Sequence, residues 1–227
     1  MRYLLLLGLI IIVIYGPQLW VQYVLSRYNR KDEPNFPGNG GELARHILNK
    51  YQLEEIKVEV TDQGDHYDPD ARAVRLTRDK LEGRTLTAIT VAAHECGHAI
   101  QHAAGESLFI MRTRIARSAI WAQRLGSFLL FAAPVVVLLF KVPSLAIINI
   151  LGAFLVMGFA VIMHLFTLPV EIDASFNKAL PILESGYLDE RQKPAARRIL
   201  KAAAWTYVAA SLATLLNFWR WLAVLRR

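Results

Sequence analysis

The sequence predicts a mostly α-helical, multi-span membrane protein with a small β-sheet in its first long loop. Three observations carry this. Hydrophobic residues make up 54% of the 227 residues, and the mean hydropathy is +0.30, high for a soluble globular chain. Apolar runs long enough for a bilayer core recur at four places. Between the first two lies a polar stretch of turn residues and short alternating segments.

The expected spans are about 3–25, 119–140, 144–168 and 202–225. In the first, Leu4 to Ile14 is nearly uninterrupted, and Pro17, Gln18 and Gln22 weaken its second half. No small-x-small cleavage site comes after it, so the run reads as an uncleaved anchor and not a signal peptide. The second and third are joined only by Lys141, Val142, Pro143 and Ser144, a tight helical hairpin. The fourth carries Trp205, Trp219 and Trp221 near its ends, where interfacial aromatics sit, though Asn217 and Arg220 interrupt it.

Charge sets the expected topology. Arg27, Arg30, Lys31, Arg112, Arg114 and Arg117 flank the first long loop, and Lys178, Arg191, Lys193, Arg197 and Arg198 come after span three. This bias puts 26–118 and 169–201 in the cytoplasm, against the milder pull of Arg2, Arg226 and Arg227. The whole chain, 1–227, reads as one functional unit. The net charge of +7 belongs to residues beside apolar segments, which excludes nucleic-acid binding as its purpose. Cys96 is the single cysteine, so a disulfide-stapled scaffold is excluded.

Within the first loop, Pro34, Pro37, Gly38, Gly40 and Gly41 mark an irregular opening segment. Asn39 is placed to cap a helix to about Lys50, with Leu43, Ala44, Ile47 and Leu48 as its apolar stripe. Strands are expected at Ile56–Val60 and Ala73–Thr77, on either side of a turn-rich stretch from Thr61 to Asp70. The second is the candidate edge strand for pairing an extended substrate. Asp65, His66 and Asp68 form a polar cluster in that turn, read as a second metal site, a substrate-adjacent loop or an ordinary solvated turn. Thr85 or Thr87 then caps a helix running past Gln101.

That helix reads VAAHECGHAIQHA from Val91 to Ala103. His94 and His98 are four apart and share one face, so both imidazoles reach one zinc ion, as on a zincin-like catalytic helix. Glu95, beside the first ligand, is positioned as general base and then as proton donor to the leaving amine. Ala92, Ala93, Gly97 and Ala99 allow close packing against the helix. Cys96 points away from the ligand face and reads as packing.

A third protein ligand is needed. His102 continues the spacing, but eight residues at 1.5 Å rise put it about 12 Å along the axis from His94, too far for a common metal. His164 lies within span three. Glu171, in LPVEIDAS from Leu168 to Ser175, comes just after span three and returns to the side of His98 after two crossings. It is the better-placed ligand, giving a His2Glu site. Asp173 is its rival, or an orienting partner for a ligand histidine.

HECGHAIQHA, LPVEIDAS and the upstream GDHYDPDARAVRLT, Gly64 to Thr77, together resemble the YugP family of membrane zinc metallopeptidases, itself broadly similar to the HtpX and Ste24 types. The resemblance covers nearly the whole chain. It implies a zinc peptidase in a bacterial cytoplasmic membrane, with Zn2+ held by His94, His98 and Glu171 and with Glu95 as catalytic base. The wider group shows Glu-x-x-x-Asp at the third ligand. Here Ser175 stands at the Asp position, and Asp173 lies between.

The expected function is zinc-dependent endopeptidase action, through zinc-activated water, on peptide bonds in membrane or membrane-proximal segments. The expected partners are therefore peptide or membrane-protein substrates and the lipid bilayer, and the expected location is the bacterial cytoplasmic membrane, multi-pass, with the site on the cytoplasmic side. The alternative is a zinc-binding membrane scaffold or chaperone without turnover. Glu95 separates the two, because a purely structural site has no need of a carboxylate beside its first ligand.

Overall fold

The computed structural model describes residues 2–30, 36–140, 144, 147–148, 150–152 and 166–206. Helix α1 (Arg2–Arg27) leads into α2 (Gly40–Lys50), strands β1 (Lys57–Val60), β2 (His66–Asp68) and β3 (Ala73–Leu76), and the short α3 (Arg78–Leu81). The central helix α4 (Leu86–Ala103) and the long α5 (Ser107–Phe140) come next. Residues 166–172 form the described end of α6. It runs without a break into a π-helical segment, Asp173–Ala179, and then α7 (Leu180–Glu184). Residues 193–206 form α8.

Local chemistry sets these boundaries. Asn39 Oδ1 accepts from the Glu42 amide and Glu42 Oε2 accepts from the Asn39 amide, each at 2.8 Å, a reciprocal capping box. The expected stripe of α2 (Leu43, Ala44, Ile47, Leu48) is buried, and it packs on α4. Of the two threonines proposed to start α4, Thr85 does so, its Oγ1 accepting from the Ala88 amide at 3.0 Å. Thr87 instead donates to Leu25 O at 2.9 Å, and Thr85 Oγ1 also meets Asn29 Oδ1 at 2.6 Å. These contacts tie the end of α1 to the start of α4.

The sheet has the order β1-β3-β2. β1 is parallel to β3, with Lys57 opposite Ala73, and β2 is antiparallel to it, with Tyr67 opposite Val74. β3 is therefore the middle strand, buried at Ala73, Val74 and Leu76. This corrects its reading as a substrate-pairing edge, since its main chain is occupied on both sides. The near-continuous burial of AVRL fits a central strand. β2 was not expected, because HYD lies in a stretch that otherwise reads as turn.

The multi-span architecture is also corrected. Among the described residues no helix is long and apolar enough to cross a membrane. α1 covers the expected span 3–25 but contains Pro17, Gln18 and Gln22. α5 covers 119–140 but starts at Ser107, carries Arg112, Arg114, Arg117 and Arg124, and contains Pro134. The expected spans 144–168 and 202–225 fall mostly outside the described residues. The mostly helical character with a small sheet stands.

The core centres on α4. It is buried from Leu86 to Ala99 and again at Gln101, enclosed by α2 on one side and the π-helical segment on another. A Cβ on Gly97 would lie 2.7 Å from the Ala174 carbonyl oxygen. Only glycine lets the two backbones come this close, and this contact sets the distance between α4 and the elements after α6.

Candidate active site

α4 presents His94 and His98 one turn apart, with ring centroids 4.8 Å apart. Both are buried, at 4% and 2% exposure. Across the Gly97 contact, the end of α6 delivers Glu171, fully buried at 0%. Its Oε2 lies 3.3 Å from His94 Nε2 and 3.1 Å from His98 Nε2. One ligand atom from each of the three residues falls within 4.8 Å of the others, the group expected from sequence.

The outer nitrogens fix how these rings are protonated. Gln101 Nε2 donates to Val170 O at 3.0 Å and to Asp173 Oδ2 at 2.8 Å. Its Oε1 therefore faces His98 Nδ1, at 2.9 Å, and must accept from it. Ser175 Oγ donates to Leu200 O at 3.2 Å, so at 3.0 Å from His94 Nδ1 it accepts. Each ring thus carries its proton on Nδ1. The Nε2 lone pairs both point at a carboxylate oxygen, which is itself only an acceptor.

Three converging acceptors repel one another unless positive charge sits among them. Two donors about 2.1 Å from one zinc at a tetrahedral angle lie about 3.4 Å apart, close to the 3.3 and 3.1 Å between Glu171 Oε2 and the two imidazole nitrogens. In the metal-free chain the same need raises the pKa of His94. Burial opposes its charged form, but the hydrogen bond to Glu171 and the charges of Glu95 and Glu171 outweigh it. Glu171 is held far below the usual carboxylate range. Burial opposes this, and the charge of His98, the hydrogen bonds that each imidazole donates from Nε2 once it is protonated there as well, and the charge of Arg112 overcome it. The donor set fits a divalent metal of the borderline type that N/O sites of this kind hold.

Glu95 lies on α4 beside His94, 6% exposed, and is not one of the three converging groups. Of the other candidates, His102 is not a ligand. Its Nδ1 is hydrogen-bonded with Tyr67 OH at 2.8 Å, a phenol whose pKa burial pushes up to about 12. Asp173 does not reach the metal group and acts at one remove, through Gln101. His164 lies outside the described residues. Cys96 is buried with Sγ 3.6 Å from Ala44 O, and burial pushes its thiol pKa up, as packing requires.

The Asp65–His66–Asp68 cluster resolves into turn chemistry. Asp65 Oδ1 accepts from the amide and hydroxyl of Thr77 at 2.6 and 2.8 Å. Asp68 accepts from the amides of Asp70 and Ala71 and pairs with Arg75 at 2.6 Å. His66 Nδ1 meets Gly64 O at 2.8 Å. These side chains hold β2 and its turn against β3.

Three residues of the site had no assigned role in the sequence. Gln101 sits three residues after His98 on the same helical face, a spacing that signals a partner. Ser175 sits four after Glu171, where the wider pattern has Asp. Arg112, read as an interfacial charge, reaches Glu171 Oε1 at 2.9 Å, and no local signal marks it.

A model of the family described as "Putative neutral zinc metallopeptidase" matches residues 3–226. The chain is 33% identical over 216 residues to "Putative membrane protease YugP" of Bacillus subtilis (strain 168), covering 92% of each. No solved structure matches. Zinc is the metal of the matched family, and the buried His94–His98–Glu171 group is positioned for it. The chain belongs to this family of neutral zinc metallopeptidases.

Proposed function

We propose that the chain is a zinc-dependent endopeptidase in which His94, His98 and Glu171 hold the metal and Glu95 is the general base. One observation carries the reading: His94 Nε2, His98 Nε2 and Glu171 Oε2 converge while both Nδ1 protons are donated elsewhere. That is the arrangement of a metal site with oriented ligands.

Bound there, zinc supplies Lewis acidity toward the scissile carbonyl and makes water nucleophilic at neutral pH. The chain's own residues do the rest. The Glu95 carboxylate takes a proton from the attacking water as the carbon–oxygen bond forms. It returns that proton to the amide nitrogen as the carbon–nitrogen bond breaks, and the water's second proton also ends on the amine, so the products are a carboxylate and an ammonium. Gln101 and Ser175 keep the two imidazoles in one tautomer and orientation. Burial of α4 limits competing water around the centre.

For the substrate, we assign peptide segments of membrane or membrane-proximal proteins, on the cytoplasmic side of a bacterial cytoplasmic membrane. Two observations support this: the relative is named a membrane protease, and large apolar side chains are exposed on α1 and α5, among them Leu19, Trp121 and Phe128. With β3 in the middle of the sheet, β2 is the edge strand that meets α4, so pairing with an extended substrate falls to β2.

The test is Glu95→Gln in the full-length chain, assayed for zinc content and for cleavage of unfolded protein. The amide keeps the shape of the carboxylate but cannot accept the water's proton. Zinc is expected to remain and cleavage to fall by about 100-fold or more. Undiminished cleavage by E95Q contradicts the mechanism. Absence of cleavage in the unaltered, zinc-loaded chain favours the scaffold reading.

A further inference from the structure

The two oxygens of Glu171 are divided between different partners. Oε2 faces His94 and His98. Oε1 lies 2.9 Å from Nη2 of Arg112, in the second turn of α5, with the arginine side chain 13% exposed. The guanidinium carbon also lies 5.7 Å over the Phe109 ring, and that ring is 6.0 Å from the ring of His98. Phe109 is 1% exposed, so the arginine rests on a fixed platform that also backs a candidate metal ligand.

We propose that Arg112 is a positioning residue of the metal centre, holding Glu171 Oε1 so that the carboxylate presents Oε2 alone as a single donor. The inference rests on the metal reading above. A carboxylate with both oxygens free readily gives both to a divalent cation, and the second oxygen fills the open position that a catalytic site keeps. A guanidinium suits this restraint because it is always charged, and here it acts on Oε1 as an ion pair at 2.9 Å, without the alignment of a hydrogen bond.

Charge leads to a second consequence. The carboxylates of Glu95 and Glu171 together cancel a divalent cation. Arg112 leaves the centre with one positive charge over, and a positive centre favours the negative charge that develops on the scissile carbonyl oxygen. Arg112 does this through Glu171, without contact with substrate.

Cobalt(II) in place of zinc tests the proposal on the full-length chain, because its visible bands are strong in four-coordinate and weak in five-coordinate sites. The unaltered chain is expected to give the strong spectrum. Arg112→Gln should give the weak one, with cobalt affinity kept or raised, because a like charge has been removed. In zinc-loaded R112Q, kcat should be about tenfold lower with KM little changed. A merely structural arginine would lower metal affinity and leave the band shape alone, and that result overturns the proposal. A strong, unaltered spectrum in R112Q also overturns it.

Should R112Q fail to fold, two measurements still decide. Arg112→Lys keeps the charge and should keep the strong spectrum, and a weak spectrum in the unaltered chain refutes single-donor binding outright. His98→Ala is the control for the metal reading and should abolish the bands. Failure of the unaltered chain to bind cobalt would sink that reading and the proposal together, whereas the R112Q outcomes bear on Arg112 alone.

Discussion

Ser175 Oγ lies 3.0 Å from His94 Nδ1 and donates its own hydrogen bond to Leu200 O at 3.2 Å. A serine in the π-helical segment therefore fixes the tautomer of a candidate ligand 81 positions away, with a carbonyl of α8 as its anchor. π-turns recur at functional sites. Here the segment carries Asp173 and Ser175 just beyond Glu171, and one short stretch serves all three.

Ser175→Ala removes the acceptor for His94 Nδ1–H. The ring is then free to rotate and to exchange tautomers. Zinc affinity, measured against a chromophoric chelator, is expected to fall by about 10–100-fold, while the circular dichroism of the chain stays the same. Equal affinity in the two chains would show that Ser175 does not orient His94.

Gly97→Ala tests the close contact between α4 and the π-helical segment. The added Cβ would stand 2.7 Å from a backbone oxygen, which has no rotamer by which to move aside. Overpacking of this kind costs about 1–3 kcal/mol. Because the displaced segment lies just after Glu171 and carries Ser175, zinc affinity should fall along with the denaturation midpoint. A stable G97A chain with unaltered zinc affinity would mean that the contact is not needed.

The turn before β3 gives a pH prediction. Burial opposes the charged form of Asp68, but the amides of Ala71 and Asp70 and the charge of Arg75 outweigh it and hold its pKa below the ordinary 3.8. A depressed folded-state pKa contributes stability that is present above the unfolded value and is lost as pH falls through the folded one. Asp68→Asn should therefore be less stable than the unaltered chain at neutral pH. The gap in urea midpoint should narrow only below about pH 3.8. A gap that is constant down to pH 2 would show that the ion pair and turn bonds do not carry the effect.

Much of the site was legible because its chemistry is local. The four-residue spacing of His94 and His98 fixes their common face, and Asn39 announces a helix start, its side chain accepting from the Glu42 amide at 2.8 Å. Glu171 was reachable through its position in the chain and the resemblance. Arg112 was not, since a basic residue beside an apolar helix looks the same whether it faces an interface or a buried carboxylate. The position of β3 was not legible either, because edge and centre are properties of the sheet and not of the strand. The spans were read from hydropathy alone; among the described residues no helix is long and apolar enough to cross a membrane, and the expected spans 144–168 and 202–225 fall mostly outside those residues.

The most direct test of the metal centre is the zinc content of the purified full-length chain and of its Glu171→Ala variant, measured by elemental analysis beside Glu95→Gln. One zinc per chain is expected in the unaltered protein and in E95Q, and only a small residue in E171A. Full zinc retention in E171A would contradict the site described here.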